Sequence, residues 1–296
     1  MTSTSIPAAV HSYYDRQYNA RASVQDVGLA LAQYREQSAP VLAWPQRVAN
    51  QRYGQGATEL LDIYPADVPN APVFVFIHGG YWRALSKEDS ACVVPALHAA
   101  GVTVVVIDYD LMPAVSMDHI VDQVRKATAW VFHNIAGFGG DPQRIYVSGS
   151  SAGGHLAGML VTGYWHADYQ VPSDAVKGAV LLSGLFDLQP LTALLPNTWM
   201  QMDEACAMRN SPRFAIPPGD ARQGCRILVC CGEYESREFK RQSTDFLQAW
   251  NARCLPGDWV ETPGTNHFDL VLTLADPASP LCVATLQMLV QCQPAA

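Results

Sequence analysis

Short apolar runs of strand length alternate along this chain with amphipathic stretches of helix length, and that alternation restricts the fold more than any other feature. PVFVFIHGG (72–80), VTVVVIDY (102–109), RIYVSGS (144–150), VKGAVLLSGLF (176–186) and CRILVCCGE (225–233) are almost continuously apolar. A strand with one wet face alternates apolar and polar residues, so a continuous run requires a sheet covered on both faces. Between these runs, MDHIVDQVRKATAWVFHNI (117–135) repeats apolar residues at helical spacing, AGGHLAGMLVTGYW opens a helix after residue 151, and FKRQSTDFLQAWNA (239–252) is helical. Repeated β-then-α order predicts the α/β class: a doubly wound, mostly parallel sheet with helices on both faces.

The length of 296 residues fits a single domain, 1–296, of this class. Two regions depart from the alternation. Residues 1 to about 55 carry an amphipathic helical pattern and no obvious sheet strand; residues 187–222 form a proline-containing, irregular insertion. Each could cover the carboxyl edge of the sheet as a lid or serve as ordinary packing. No internal repeat or low-complexity segment occurs.

The formal net charge is −8 and no Lys/Arg-rich run is present, which argues against nucleic acid and anionic membranes as partners. The longest apolar runs are too short to span a bilayer. The eight cysteines show no C-x-x-C pair, and Cys230 and Cys231 lie in an apolar strand as buried thiols. The expectation is a reduced, cytoplasmic protein acting on a small molecule, with a homodimer one assembly open to it.

Residues 149–155 read GSSAGGH, between the strand RIYVS and a helix. Ligands of open α/β sheets bind at such strand carboxyl ends. The turn G-x-S-x-G needs minimal side chains two positions either side of its serine, because the sharp strand-to-helix reversal brings backbones into contact. Gly149 and Gly153 stand at that spacing around Ser151; Ser150 would be flanked by Ser148 and Ala152. Ser151 is therefore the candidate nucleophile.

A serine hydroxyl needs a base, and folds built around this turn carry nucleophile, acid and histidine in that chain order. His267, in the loop TPGTNHFDL after a short strand WVET, occupies the base position. His166 is too near the turn in sequence to come back over it, and His155, one helical turn on from Ser151, is expected to be structural. The acid belongs after the strand CRILVCC, where Glu235 is favoured and Glu233 is the alternative. HGGYW (78–82), closing the strand PVFVFI, supplies an oxyanion loop: the N–H groups of Gly79 and Gly80, with that of Ala152 after the nucleophile. His78 is expected to be structural. Tyr81 and Trp82 are candidates to line an aromatic substrate pocket, with core packing the other reading of Trp82. The scheme requires no cofactor and no metal.

HGGYW, DYDLMP, GSSAGGHL, SGLFDLQPL, NSP, GEYESREFKRQS and NHFD together resemble the α/β-hydrolase kynurenine formamidases (arylformamidases), within the hormone-sensitive-lipase-like esterases. The resemblance begins near residue 13, at YYDRQYNAR, and runs almost to the end. It implies an α/β-hydrolase fold with nucleophile, acid and base on Ser151, Glu235 and His267, and the oxyanion loop on Gly79, Gly80 and Tyr81. It further implies cleavage of N-formyl-L-kynurenine to kynurenine and formate in tryptophan degradation. A short-chain carboxylesterase, another small-amide hydrolase and a non-catalytic ligand-binding protein on the same fold are the other readings. Two positions depart from the family pattern: the acid is Glu where animal members usually have Asp, and Ser150 stands where His often precedes the nucleophile.

Overall fold

A computed structural model describes residues 8–219 and 225–291. Residues 220–222 of the expected insertion, and 1–7 of the N-terminal segment, lie outside the described residues. Eight strands form one sheet: β1 (Val48–Arg52), β2 (Leu60–Tyr64), β3 (Ala71–Ile77), β4 (Thr103–Ile107), β5 (Gly140–Ser150), β6 (Val176–Leu182), β7 (Arg226–Cys230) and β8 (Gly257–Trp259). Their order is β1-β2-β4-β3-β5-β6-β7-β8. β2 runs antiparallel to both its neighbours, and every pairing from β4 onward is parallel. The five apolar runs become β3 to β7, the middle of the sheet.

The period-two alternation of strand side chains divides the core into two layers. Val73, Val75, Ile77, Val105, Ile107, Ile145, Val147, Ala179 and Leu181 face one layer. Phe74, Phe76, Val104, Val106, Tyr146, Val180 and Leu182 face the other. The first layer is covered by helices Met117–Asn134, Ala152–Val161 and Arg237–Asn251. The second is covered by helices Val27–Leu42, Val94–Ala99, Asp269–Ala275 and Pro280–Gln291. Each fully buried Val, Leu, Ile or Phe contributes about 1.5–3 kcal/mol against exposure, so an apolar central strand filling both layers is strongly driven into this position. Among the described residues no single helix is long and apolar enough to cross a membrane.

Two sequence expectations are corrected. A sheet strand does lie within the first 55 residues: β1 is VANQR, a polar edge strand half open to water. The last strand is Gly257–Trp259, just before the stretch WVET, of which it takes only the first residue.

Candidate active site

The turn after β5 is as tight as its glycines require. A Cβ on Gly149 would lie 2.3 Å from the carbonyl of Gly153, and one on Gly153 would lie 2.0 Å from Ile77 O. Between them Ser151 adopts φ 58°, ψ −115°, a left-handed conformation that costs a non-glycine residue about 1–3 kcal/mol. Its N–H donates to Leu182 O on β6 at 2.8 Å, so the neighbouring strand holds the strained turn in place. Ala152 then starts a helix, whose first-turn N–H groups have no intrahelical acceptor and carry the positive end of the helix dipole.

The loop after β3 lies against this turn. A Cβ on Gly79 would stand 2.7 Å from Ser150 O and 3.5 Å from Ser151 Cβ, so only glycine lets the loop backbone approach the serine. Gly80, Tyr81 and Trp82 follow with φ of 96°, 57° and 54°, three successive left-handed residues. His78 supports the loop from beneath. It is fully buried, stacks on Tyr109 with ring centroids 4.1 Å apart, and has Nδ1 2.9 Å from Gly79 O. Its Nε2 lies 3.2 Å from Asp108 Oδ1 without hydrogen-bond alignment. The Tyr109 hydroxyl donates to His78 O at 2.9 Å.

Glu235 and His267, on loops after β7 and β8, meet through His267 Nδ1 and Glu235 Oε2 at 2.6 Å, and both are buried. The other carboxylate oxygen, Oε1, accepts from Gly232 N–H at 2.7 Å and from the Ser183 hydroxyl. Burial by itself raises the Glu235 carboxyl; the charge and hydrogen bond of His267, with the Ser183 and Gly232 donors, outweigh it and hold the group below the usual carboxylate range. An anionic partner at Nδ1 fixes that nitrogen as the protonated one and leaves Nε2 as a base. The alternative acid, Glu233, is exposed and accepts instead from Gly264 N–H at 2.6 Å.

Ser151, His267, Gly79, Gly80 and Tyr81 line one cavity of about 600 Å³. Trp82 does not. It is fully buried, with Nε1 donating to His155 Nδ1 at 3.2 Å, so its expected place in the substrate pocket is corrected to a place in the core. The two consecutive left-handed residues turn Tyr81 outward and Trp82 inward. The aromatic walls come from further away in sequence: Trp199 in the insertion, Tyr18 and Tyr34 in the N-terminal segment, and Phe268 beside His267. Residues of both irregular segments thus line the cavity. Ser183 and these aromatics escaped the sequence reading. For Ser183 the only local signal was its place immediately after β6, next to the strand that leads to Glu235.

Comparison with known proteins agrees with this architecture. The family model described as BD-FAE matches residues 61–201. A kynurenine formamidase of Salmo salar is 35% identical over 248 residues, 82% of each chain. Esterase LipQ of Mycobacterium tuberculosis is 38% identical over 75% of this chain and 57% of its own length. A solved structure from Silicibacter sp. superposes with a TM-score of 0.79 at 25% identity, covering 92% of this chain and 98% of that one.

Proposed function

We propose that this chain, which belongs to the kynurenine formamidase family of α/β-hydrolases, is a serine hydrolase that cleaves a small acyl amide through an acyl-enzyme, with N-formyl-L-kynurenine as the substrate best supported. The observation that carries the reading is the buried Glu235–His267 pair opening onto the same cavity as a serine on a strained turn. Such strain persists only where the surrounding structure enforces it, and it concentrates at functional sites.

Ser151 Oγ attacks the formyl carbon while His267 Nε2 takes its proton. The negative oxygen of the tetrahedral intermediate is stabilised by N–H groups of Gly79, Gly80 and Ala152, each such donor contributing roughly 10²–10³ in rate. Glu235 stabilises the imidazolium without being protonated itself. His267 returns its proton to the leaving aryl nitrogen, the C–N bond breaks, and kynurenine departs from a formyl-serine. Water, deprotonated by the same nitrogen, attacks the formyl carbon, and formate leaves as Ser151 regains its proton. The aromatic walls suit an aryl leaving group.

The similarity to esterase LipQ, with a cavity far larger than a formyl group needs, favours a short-chain carboxylesterase as the second reading. The deciding measurement is kcat/KM for N-formyl-L-kynurenine beside p-nitrophenyl acetate, with Ser151→Ala as the blank. A formamide value above about 10⁴ M⁻¹s⁻¹ and well above the ester supports the formamidase. Good ester turnover with negligible deformylation selects the esterase.

A further inference from the structure

The chain carries 19 basic against 27 acidic side chains, yet the cavity rim is basic. Arg21 and Arg83 both line it, from the N-terminal segment and from the turn that continues the glycine loop. Among the described residues neither has a carboxylate within salt-bridge distance, whereas Arg35, Arg47, Arg209, Arg213, Arg226 and Arg241 all do. The carboxylate on the same rim, Asp15, accepts from Leu195 N–H at 2.8 Å. Arg83 is also held in place: its guanidinium lies 4.6 Å from the centre of the Trp199 ring, which is itself set edge-on to Tyr81. A stacked guanidinium keeps its N–H fork free for a planar anion while losing little side-chain freedom on binding.

We propose that Arg21 and Arg83 form an anion-recognition rim that selects substrates whose leaving group carries a carboxylate. This deepens the reading of the cavity as a hydrolase site and rests on it. The reacting bond sits at Ser151, the aromatic walls hold the ring, and the carboxylate meets the guanidinium groups at the mouth. In an acidic protein such a rim also attracts anions that the rest of the surface repels, an effect that salt screens.

The test is inhibition of p-nitrophenyl acetate hydrolysis by L-kynurenine and by its carboxamide, in which a neutral amide of similar size replaces the carboxylate. The acid is expected to bind about ten-fold more tightly, as a charge-assisted hydrogen bond would give. That preference should shrink toward one in Arg21→Gln/Arg83→Gln, and with rising KCl in the parent. Equal inhibition constants in the parent, or a preference unchanged by the double substitution, overturn the rim whether or not formamides are cleaved. A preserved, arginine-dependent preference in a protein that fails to deformylate N-formyl-L-kynurenine supports the rim and overturns the formamide substrate instead.

Discussion

Trp82 and His155 meet inside the core: the indole Nε1–H donates to His155 Nδ1 at 3.2 Å, and His155 Nε2 stands 2.7 Å from Asn210 O, to which it donates. One imidazole thereby joins three parts of the site, the glycine loop, the helix after Ser151 and the irregular insertion. The contact with Trp82 requires the neutral ring, because Nδ1 must be unprotonated to accept, whereas donation to Asn210 O is open to either form. Burial pushes its pKa down from 6.5 to about 4, against a smaller upward pull from Asn210 O. An unfolded chain takes up a proton on this histidine near pH 6.5, whereas the folded one resists until about pH 4. Stability from this group is therefore full above pH 6.5, falls as pH drops toward 4 and levels off below. The span corresponds to about 3 kcal/mol. Urea denaturation from pH 7.5 to 4 should show a steeper acid-side loss in the parent than in His155→Gln. Equal slopes would remove His155 as the source.

Ser151→Gly should make the protein more stable while abolishing turnover. Glycine relieves the left-handed strain at φ 58°, offset by its larger unfolded-state entropy, for a net gain of about 1 kcal/mol. Thermal melting should rise by about 2 °C. Ser150→Ala, one residue earlier, should keep most activity. A melting point lowered by Ser151→Gly would mean that the turn is relaxed rather than strained.

The central strands and the order of the chemical residues were legible because both are written locally. β3 to β7 are apolar on both faces, and the glycines at 149 and 153 leave a single serine at the centre of the turn. β1 was illegible because VANQR is an exposed edge strand, with no core to impose a pattern on it. Trp82 was misplaced because whether an aromatic on this loop points in or out depends on the left-handed turn at Tyr81 and Trp82, and neither tyrosine nor tryptophan gives a local sign of positive φ. Position after the strand favoured Glu235 over Glu233, but the contacts that hold its carboxylate, among them a hydroxyl 52 residues away in sequence, left no local sign.

That hydroxyl leads to a prediction. Ser183 and Gly232 N–H share the Glu235 oxygen that His267 does not use. Ser183→Ala removes a donor to a buried carboxylate, worth about 1.5–3 kcal/mol. kcat should fall about ten-fold or more with KM little changed, because the acid is less firmly anchored. Stability should fall as well, and the deficit should shrink only as pH drops through the lowered folded-state pKa of Glu235, below which the carboxyl is protonated in both proteins and the lost bond no longer favours the anion. A deficit that persists unchanged once the Glu235 carboxyl is protonated, as its infrared carbonyl band reports, would assign Ser183 to packing alone.

Glu235→Gln tests the acid itself. The amide can still accept from Nδ1 but cannot stabilise the imidazolium, so kcat should drop by about 10²–10⁴. Glu233→Gln, on an exposed side chain bonded to Gly264 N–H, should leave kcat within about two-fold, as surface substitutions ordinarily do. The reverse ranking would exchange the two roles.

Tyr34 tests whether the N-terminal segment belongs to the machinery. From the helix Val27–Leu42 its buried hydroxyl donates to Phe268 O at 2.5 Å, one residue beyond His267 and 234 residues away in sequence. Phe268 in turn sets its ring edge-on to the imidazole, with centroids 5.5 Å apart. Tyr34→Phe keeps the ring and leaves a carbonyl without its donor, at a cost of about 1–2 kcal/mol. If the bond only fastens the helix, stability should fall and kinetics should not change at saturating substrate. If it positions the His267 loop, kcat should fall several-fold while KM barely moves, because small displacements of a base cost turnover more than ground-state binding. We expect the second outcome, since the Phe268 carbonyl follows His267 directly in the chain and a shift of one carries the other.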